Sequence, residues 1–138
     1  MKWGRQLVGC CIAIASLVGC GAKSREAAQA ATEKFRTRVI RGAYAEIYRQ
    51  TTPEFRASAT EEQFEKAMKA IDRKLGRFQS APPPGWRVNV GTGGKTVFLV
   101  YKSQFEKGGA TEEFVWKPAD AEPKLTGYHI NSPLLFAD

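Results

Sequence analysis

Few side chains of this chain could act on a substrate. His129 is the only histidine, and Asp72 lies at the edge of the apolar stripe of a predicted helix. An acid in an apolar pocket would have a raised pKa and could move protons, whereas a solvated helix acid would not. His129 could be a general base, or a solvent-exposed or hydrogen-bonded strand histidine without a catalytic role. Because no nucleophile–base pair and no cluster of metal ligands is visible, we predict no catalytic residue, no metal site and no cofactor.

The stretch GTGGKT looks like part of a phosphate-binding loop. That loop requires a glycine where this chain has Asn89, and it leads into a helix, whereas the following VFLVY is typical of a strand. We therefore expect residues 91–94 to form a hairpin turn.

The three cysteines, Cys10, Cys11 and Cys20, all lie within the first twenty residues. The first two belong to an apolar run over residues 6–19 that follows the basic residues Lys2 and Arg5. This pattern is typical of a secretory signal peptide, and the run is shorter than the roughly 20 apolar residues that a membrane span needs.

Residues 17–20, LVGC, resemble the lipobox of bacterial lipoproteins. The resemblance implies a signal peptide over residues 1–19, cleavage between Gly19 and Cys20, and attachment of a lipid with palmitate-type acyl chains to Cys20. Residues 20–24 would then be the lipidated cysteine and a short tether, and a single domain would span residues 25–138. Gly21 implies sorting to the outer membrane, facing the periplasm, in a host that has one. The alternative is an ordinary secreted protein that is cut near Ala22.

The charge balance excludes some partners. Cleavage would remove Lys2 and Arg5, which lowers the 21 basic residues to 19 against 14 acidic ones, a net charge of +5. The excess is scattered, so we expect no nucleic-acid partner, and an anionic membrane surface or an acidic partner fits better.

The basic segment KFRTRVIR, residues 34–41, has two interpretations. Lys34 and Arg41 would project away from the buried stripe of the first helix, while Arg36 and Arg38 would lie at its flanks. The four cations could contact lipid phosphates, or they could form a merely solvated face.

The apolar periodicity predicts a helical half followed by a strand half. The predicted helices are residues 25–41, 43–50 and 60–75. Ser24 would cap the first of them, and Thr60 and Gln63 would form a capping box on the third. The predicted strands are residues 77–81, 86–90, 95–105, 111–117 and 124–130. Gly-Gly hairpin signals, GTGG and KGGA, separate them, so the sequence indicates an α+β domain with an antiparallel meander.

This order of elements resembles the cystatin-like α+β roll, the fold of nuclear transport factor two and ketosteroid isomerase. Residues 44–130 also resemble a group of exported bacterial domains, on the segments TPEFRASATEEQFEKAMKAIDRKLG, YKSQFEKGGATEE and LTGYHI. The resemblance implies three N-terminal helices packed on a curved antiparallel meander of four to five strands. The aromatic residues that could line a cavity, or simply fill the core, are Tyr44, Tyr48, Tyr101, Trp116 and Tyr128.

Two functions remain open from the sequence. The first is a non-enzymatic binding or adaptor module of the cell envelope, held to the membrane by its lipid and binding an envelope protein or a small apolar ligand. The alternative is an isomerase- or dehydratase-like enzyme that uses a cavity between helix 60–75 and the sheet. A convergent set of polar groups in that cavity would distinguish them. We predict that Asp72 and His129 do not converge, because His129 alternates with Tyr128 and Ile130 along its strand.

Overall fold

The structure is a computed structural model that describes residues 19–137. Except for Gly19, the predicted signal peptide lies outside the described residues. The described part of the chain forms four α-helices and then five β-strands, an α+β domain as the sequence predicts. The helices are α1 (Gly19–Ile40), α2 (Tyr44–Arg49), α3 (Pro53–Ser58) and α4 (Glu61–Leu75). The strands are β1 (Phe78–Ser80), β2 (Gly85–Gly91), β3 (Gly94–Phe105), β4 (Gly108–Lys117) and β5 (Lys124–Asn131).

Helix α1 begins earlier than the sequence predicts. Ser24 lies inside the helix rather than at its N-cap, and residues 20–24, the predicted tether, form its first turns. Alanine-rich sequence follows, and alanine is the strongest helix former, so one serine does not delay the helix. The Ser24 hydroxyl accepts a hydrogen bond from Lys95 Nζ on β3, at 3.4 Å. The helix ends at Gly42 as expected, with a φ of +69° and its N–H bonded to the Val39 carbonyl at 2.9 Å.

Helix α3 is an additional helix, so the prediction of three helices is not confirmed. A proline after α2 indicates the end of that helix, but proline also suits the first turn of the next one, where its missing N–H has no intrahelical partner anyway. Pro53 occupies that position, and Thr52 caps the helix by accepting a hydrogen bond from the Phe55 N–H at 3.2 Å.

Helix α4 has the cap and the buried face that the sequence predicts. The Thr60 hydroxyl accepts from the Gln63 N–H at 3.2 Å, and the Gln63 side chain accepts from the Thr60 N–H at 2.9 Å. The buried side chains are those of Phe64, Met68 and Leu75, with Ile71 partly buried. Ala67 is exposed, since it lies at the edge of this stripe and its side chain is short.

The five strands form one open antiparallel sheet. Strands β2, β3, β4 and β5 follow one another as a meander, and the turn between β2 and β3 lies at Thr92 and Gly93, within the predicted hairpin. Strand β3 is long enough for β1 and β2 to share one of its edges, with β2 pairing along residues 94–100 and β1 at residues 104–105. The proline run at residues 82–84 connects these two strands.

The second hairpin turn is displaced from its predicted position. It lies at Glu106 and Lys107, and the glycine pair that was expected to form it belongs to β4. A Cβ atom at Gly108 would lie 2.7 Å from Leu134 Cδ1, so the partly buried Leu134 side chain would have to shift to admit a larger residue there.

Alternate residues of β3 and β4 face the helices. The inward set on β3 is Val97, Leu99, Tyr101, Ser103 and Phe105, and on β4 it is Ala110, Glu112, Phe114 and Trp116. The inward side chains of both strands are buried, and most are apolar, so Ser103 and Glu112 stand out as polar groups on the core face.

Candidate functional site

A charged pair is buried between α1 and the sheet. The Arg36 side chain is only 6% exposed, and its Nη2 donates to Glu112 Oε1 at 3.1 Å. The interpretation of Arg36 as a solvated or lipid-contacting residue is therefore wrong. Arg36 follows Phe35 on the buried side of α1, and Glu112 is in phase with Phe114, so both charged groups point into the core.

Glu112 accepts hydrogen bonds from three side chains. Besides Arg36, the Ser103 hydroxyl donates to its Oε1 at 2.6 Å, and the Tyr128 hydroxyl donates to its Oε2 at 2.7 Å. A buried carboxylate is stable only when such donors replace the water that it loses. The three donors satisfy Glu112 and leave it poorly suited to take up a proton as a free general base.

Aromatic rings surround the Arg36 guanidinium. Its Cζ lies 3.6 Å from the ring centroid of Phe78, 4.7 Å from that of Tyr101 and 5.7 Å from that of Phe114. The negative faces of aromatic rings attract a cation, so these contacts help to hold the charge away from water.

The guanidinium is not fully hydrogen-bonded. Within residues 19–137, the buried Nε and Nη1 atoms of Arg36 have no hydrogen-bond partner. Buried donors without acceptors are unfavourable by about 1–3 kcal/mol per group. Arg36 therefore presents strong donors that the described protein atoms do not use.

Arg36 lines a cavity of about 300 Å³ between α1, α4 and the end of the sheet. That volume corresponds to about ten water molecules at liquid density. The apolar part of its wall includes Phe35, Val39, Met68, Ile71, Phe78 and Phe105. The cavity also contacts Glu112 and Tyr128 in the interior and the exposed Arg41, Asp72 and Arg77 at its mouth. Its wall therefore combines apolar side chains with a comparable share of polar and charged groups, which could orient a small ligand.

The predicted lining residues divide into two groups. Tyr44 and Tyr128 line the cavity. The other three pack elsewhere: the Tyr48 hydroxyl donates to the Ala59 carbonyl at 2.8 Å, the Trp116 indole donates to the Thr32 hydroxyl at 3.0 Å, and Tyr101 is buried beside Arg36.

Asp72 and His129 occupy different surfaces. Asp72 is exposed at the cavity mouth, on α4. His129 is exposed on β5, where its neighbours Tyr128 and Ile130 pack against the core clusters. Alternation along a strand turns His129 to the face opposite these two residues, away from the cavity.

Burial raises the pKa of the tyrosines at the site. The pKa of Tyr128 lies well above its ordinary value because of burial first and of the adjacent Glu112 carboxylate second. Burial also raises the pKa of Tyr101, and burial together with the Asp72 charge raises that of Tyr44. These phenols stay protonated at neutral pH, and that of Tyr128 donates to Glu112.

Sequence reasoning misses Arg36, Glu112 and Ser103, although a signal for them exists. Glu112 and Ser103 both occupy the inward phase of strands whose other inward residues are apolar. A charged residue in that phase needs a buried partner of opposite charge. Arg36, at the flank of the apolar stripe of the first helix, is a candidate for this oppositely charged partner.

Within residues 19–137, no group of three or more histidine, cysteine and acidic side chains is placed to hold a metal ion. In the same range, no helix has the length and apolarity that crossing a membrane requires.

Comparisons with family models, with curated proteins and with solved structures find no match to this chain. The function of this chain must therefore be inferred from its own site.

Proposed function

We propose that this protein is an envelope lipoprotein whose domain, a cystatin-like roll, binds a small ligand in the cavity between α1, α4 and the sheet. The observation that carries the binding function is the buried Arg36, which lines the cavity and whose Nε and Nη1 have no hydrogen-bond partner among residues 19–137. A closely packed core would be at least as stable with apolar residues in place of the ion pair, so stability alone does not account for it.

A neutral fluorophore tests the cavity directly. We use 1-aminonaphthalene, whose emission shifts when it leaves water, and expect saturable binding to the wild-type protein. Ile71→Trp should abolish binding, because Ile71 lines the cavity and a larger side chain would fill it. Ala67→Trp is the matched control, since Ala67 lies on the exposed side of the same helix. Equal binding by both variants, or none by the wild type, would contradict a ligand site here.

The alternative, a proton-transferring enzyme, has one observation in its favour. The Tyr128–Glu112 pair forms a convergent polar set beside the cavity. An isomerase also needs a free base, and Glu112 accepts from three donors while Asp72 lies exposed at the mouth. We therefore expect the protein not to exchange the α-hydrogens of 2-octanone in D₂O above the buffer rate. Exchange that disappears in Glu112→Gln would favour the enzyme.

The membrane anchor is the second part of the proposal. The lipobox-like residues 17–20 support it, and so does the surface beside the first turns of α1. There Trp86 is 50% exposed and Val90 is 77% exposed. The Arg25 guanidinium lies 5.0 Å from the Trp86 ring, and Lys95 contacts Ser24. Exposed tryptophan with nearby cations suits the headgroup region of an anionic membrane.

Cysteine substitutions test the anchor. Cys20→Ser should leave an uncut precursor without lipid label, because the thiol is the acceptor of the lipid. Cys10→Ser, in the other LVGC segment of the chain, should leave processing and labelling intact. Mature, lipid-labelled protein from the Cys20→Ser strain would contradict the lipobox assignment.

A further inference from the structure

The charges around the cavity have an excess of one positive charge. Arg36, Arg41 and Arg77 lie on its wall, against the two acids Asp72 and Glu112. Among the lining residues, Glu112 already neutralises Arg36, so the excess belongs to the mouth, where Arg41, Arg77 and Asp72 lie. The Glu106 carboxylate, which does not line the cavity, accepts from the Arg77 N–H at 3.0 Å. Arg41 is in addition 3.7 Å from Glu46, so part of its charge is compensated from α2.

We propose that the ligand is a small amphipathic carboxylate. Its carboxylate group would accept from the unpartnered Nε or Nη1 of Arg36, and its apolar body would lie against Val39, Ile71 and Phe105. This inference rests on the proposed function, because it specifies the ligand of the same cavity.

Arg36 discriminates between ligand classes by its chemistry. A guanidinium has five N–H donors and no acceptor, so an ammonium ligand would leave its donors unpaired and would be repelled. A neutral carbonyl could accept from it, but hydrogen bonds between two ionised groups are about twice as strong as those between neutral ones.

The size of the cavity sets the size of the probe. A volume of about 300 Å³ holds about ten non-hydrogen atoms if each occupies the share of a liquid water molecule. Octanoate has that size, and octanamide has the same shape without the charge. Octylammonium reverses the charge on the same apolar chain.

Titration calorimetry of the wild-type protein with these three probes tests the ligand class. We expect octanoate to bind at least about tenfold more tightly than octanamide, which is the lower end of the contribution of a hydrogen bond between charged groups. Octylammonium should bind more weakly than either. Equal affinities for octanoate and octanamide would overturn the carboxylate inference and leave the cavity proposal standing. If neither they nor 1-aminonaphthalene bind, the proposed function itself fails.

Surface variants keep the test independent of folding. Arg77→Gln removes an exposed cation from the mouth and should weaken octanoate binding without affecting octanamide. Arg49→Gln, an exposed arginine on α2 that does not line the cavity, is the matched control and should change neither affinity. Equal weakening of both probes by Arg77→Gln would overturn the electrostatic part of the inference.

A double variant addresses Arg36 itself. Arg36→Met with Glu112→Gln removes both buried charges together, so no ion is left unpaired in the core. We expect this variant to lose most of the preference for octanoate over octanamide while still binding 1-aminonaphthalene, the remaining preference coming from Arg77. A preference as large as that of the wild-type protein would show that Arg36 does not recognise the carboxylate.

Discussion

The two halves of α1 meet the sheet in different ways. In the N-terminal half, Ala28 and Thr32 are fully buried, and the Thr32 hydroxyl is satisfied on both sides: the Trp116 indole donates to it, and it donates to the Ala28 carbonyl at 2.9 Å. The buried Nε of Arg25, in the same half, has no partner in the described residues. In the C-terminal half, Phe35 and Arg36 stand beside a cavity, and two Arg36 nitrogen atoms have no partner in the described residues. We call these regions the closed end and the open end.

The difference separates polar groups that complete a core from polar groups that face a ligand. At the closed end, the small residues of α1 allow the helix to approach the sheet, and the buried hydroxyl of Thr32 has both a donor and an acceptor. At the open end, an ion pair occupies a position where apolar residues could have filled the space. Buried ion pairs are often no more stabilising than such apolar replacements, so the open end is better explained by binding than by stability.

The largest expected effect is the loss of one member of the ion pair. Arg36→Met should lower the free energy of unfolding by about 3–5 kcal/mol, because Glu112 is left as an unpaired buried charge. Urea denaturation measures this change. Combining Arg36→Met with Glu112→Gln should recover most of the lost free energy of unfolding. If the double variant were as unstable as the single one, the two side chains would not be an energetically coupled pair.

Large-to-small substitutions should distinguish the two ends. Leu99→Ala, in a fully buried position on β3, should lower the free energy of unfolding by about 2–5 kcal/mol because it opens a new cavity. Ile71→Ala should lower it by less than about 2 kcal/mol, because Ile71 is partly exposed and already borders a cavity. Denaturation curves of the two variants, compared at the same dependence on denaturant concentration, measure both changes. Equal losses of free energy of unfolding would contradict the inference that the open end is less closely packed.

Alkaline pH should weaken the open end. Below about pH 10, the ordinary pKa of tyrosine, Tyr128 is protonated in both states. Above it, the unfolded state releases the proton while the folded state keeps it, so the free energy of unfolding falls by up to about 1.4 kcal/mol per pH unit. Tyr128→Phe should make this decline shallower. The decline that remains in the variant would come from Tyr101 and Tyr44, whose pKa values are also raised. An unchanged slope in the variant would contradict the raised pKa of Tyr128.

The smallest effect should come from the cap of α4, which forms one wall of the cavity. Thr60→Ala should lower the free energy of unfolding by about 1 kcal/mol, through the lost hydrogen bond to the Gln63 N–H. Ligand affinity at temperatures far below the melting point should stay the same. A weaker affinity for octanoate would indicate that the open end depends on general stability rather than on its own residues.

The elements were predictable where a local signal decides them. The capping box of Thr60 and Gln63 and the stripe through Phe64 fixed α4, and alternation located the strands. The start of α1 and the presence of helix α3 were not predictable, because Ser24 and Pro53 each suit more than one local structure. At these positions the contacts of the folded domain decide, including the bond from Lys95 to Ser24.

The site was less predictable than the fold. Arg36 and Glu112 are 76 residues apart in sequence. The local sequence around each of them predicts a solvated charged side chain. Two features of the fold bring Arg36 and Glu112 together. The strand register places Glu112 in phase with Phe114, on the core face, and α1 packs against that face. Tyr44 and Tyr128 were correctly placed among candidate lining residues, but aromatic character alone could not separate them from Tyr48 or Trp116, which fill the core.

The most direct test of the account follows the Arg36 Nε–H group by ¹⁵N NMR as octanoate is added to the wild-type protein. If this group recognises the carboxylate, its resonance should shift as the cavity fills, while that of the exposed Arg49 stays in place. An Arg36 resonance that does not move when calorimetry shows octanoate to be bound would contradict the central claim that Arg36 recognises the ligand at the open end.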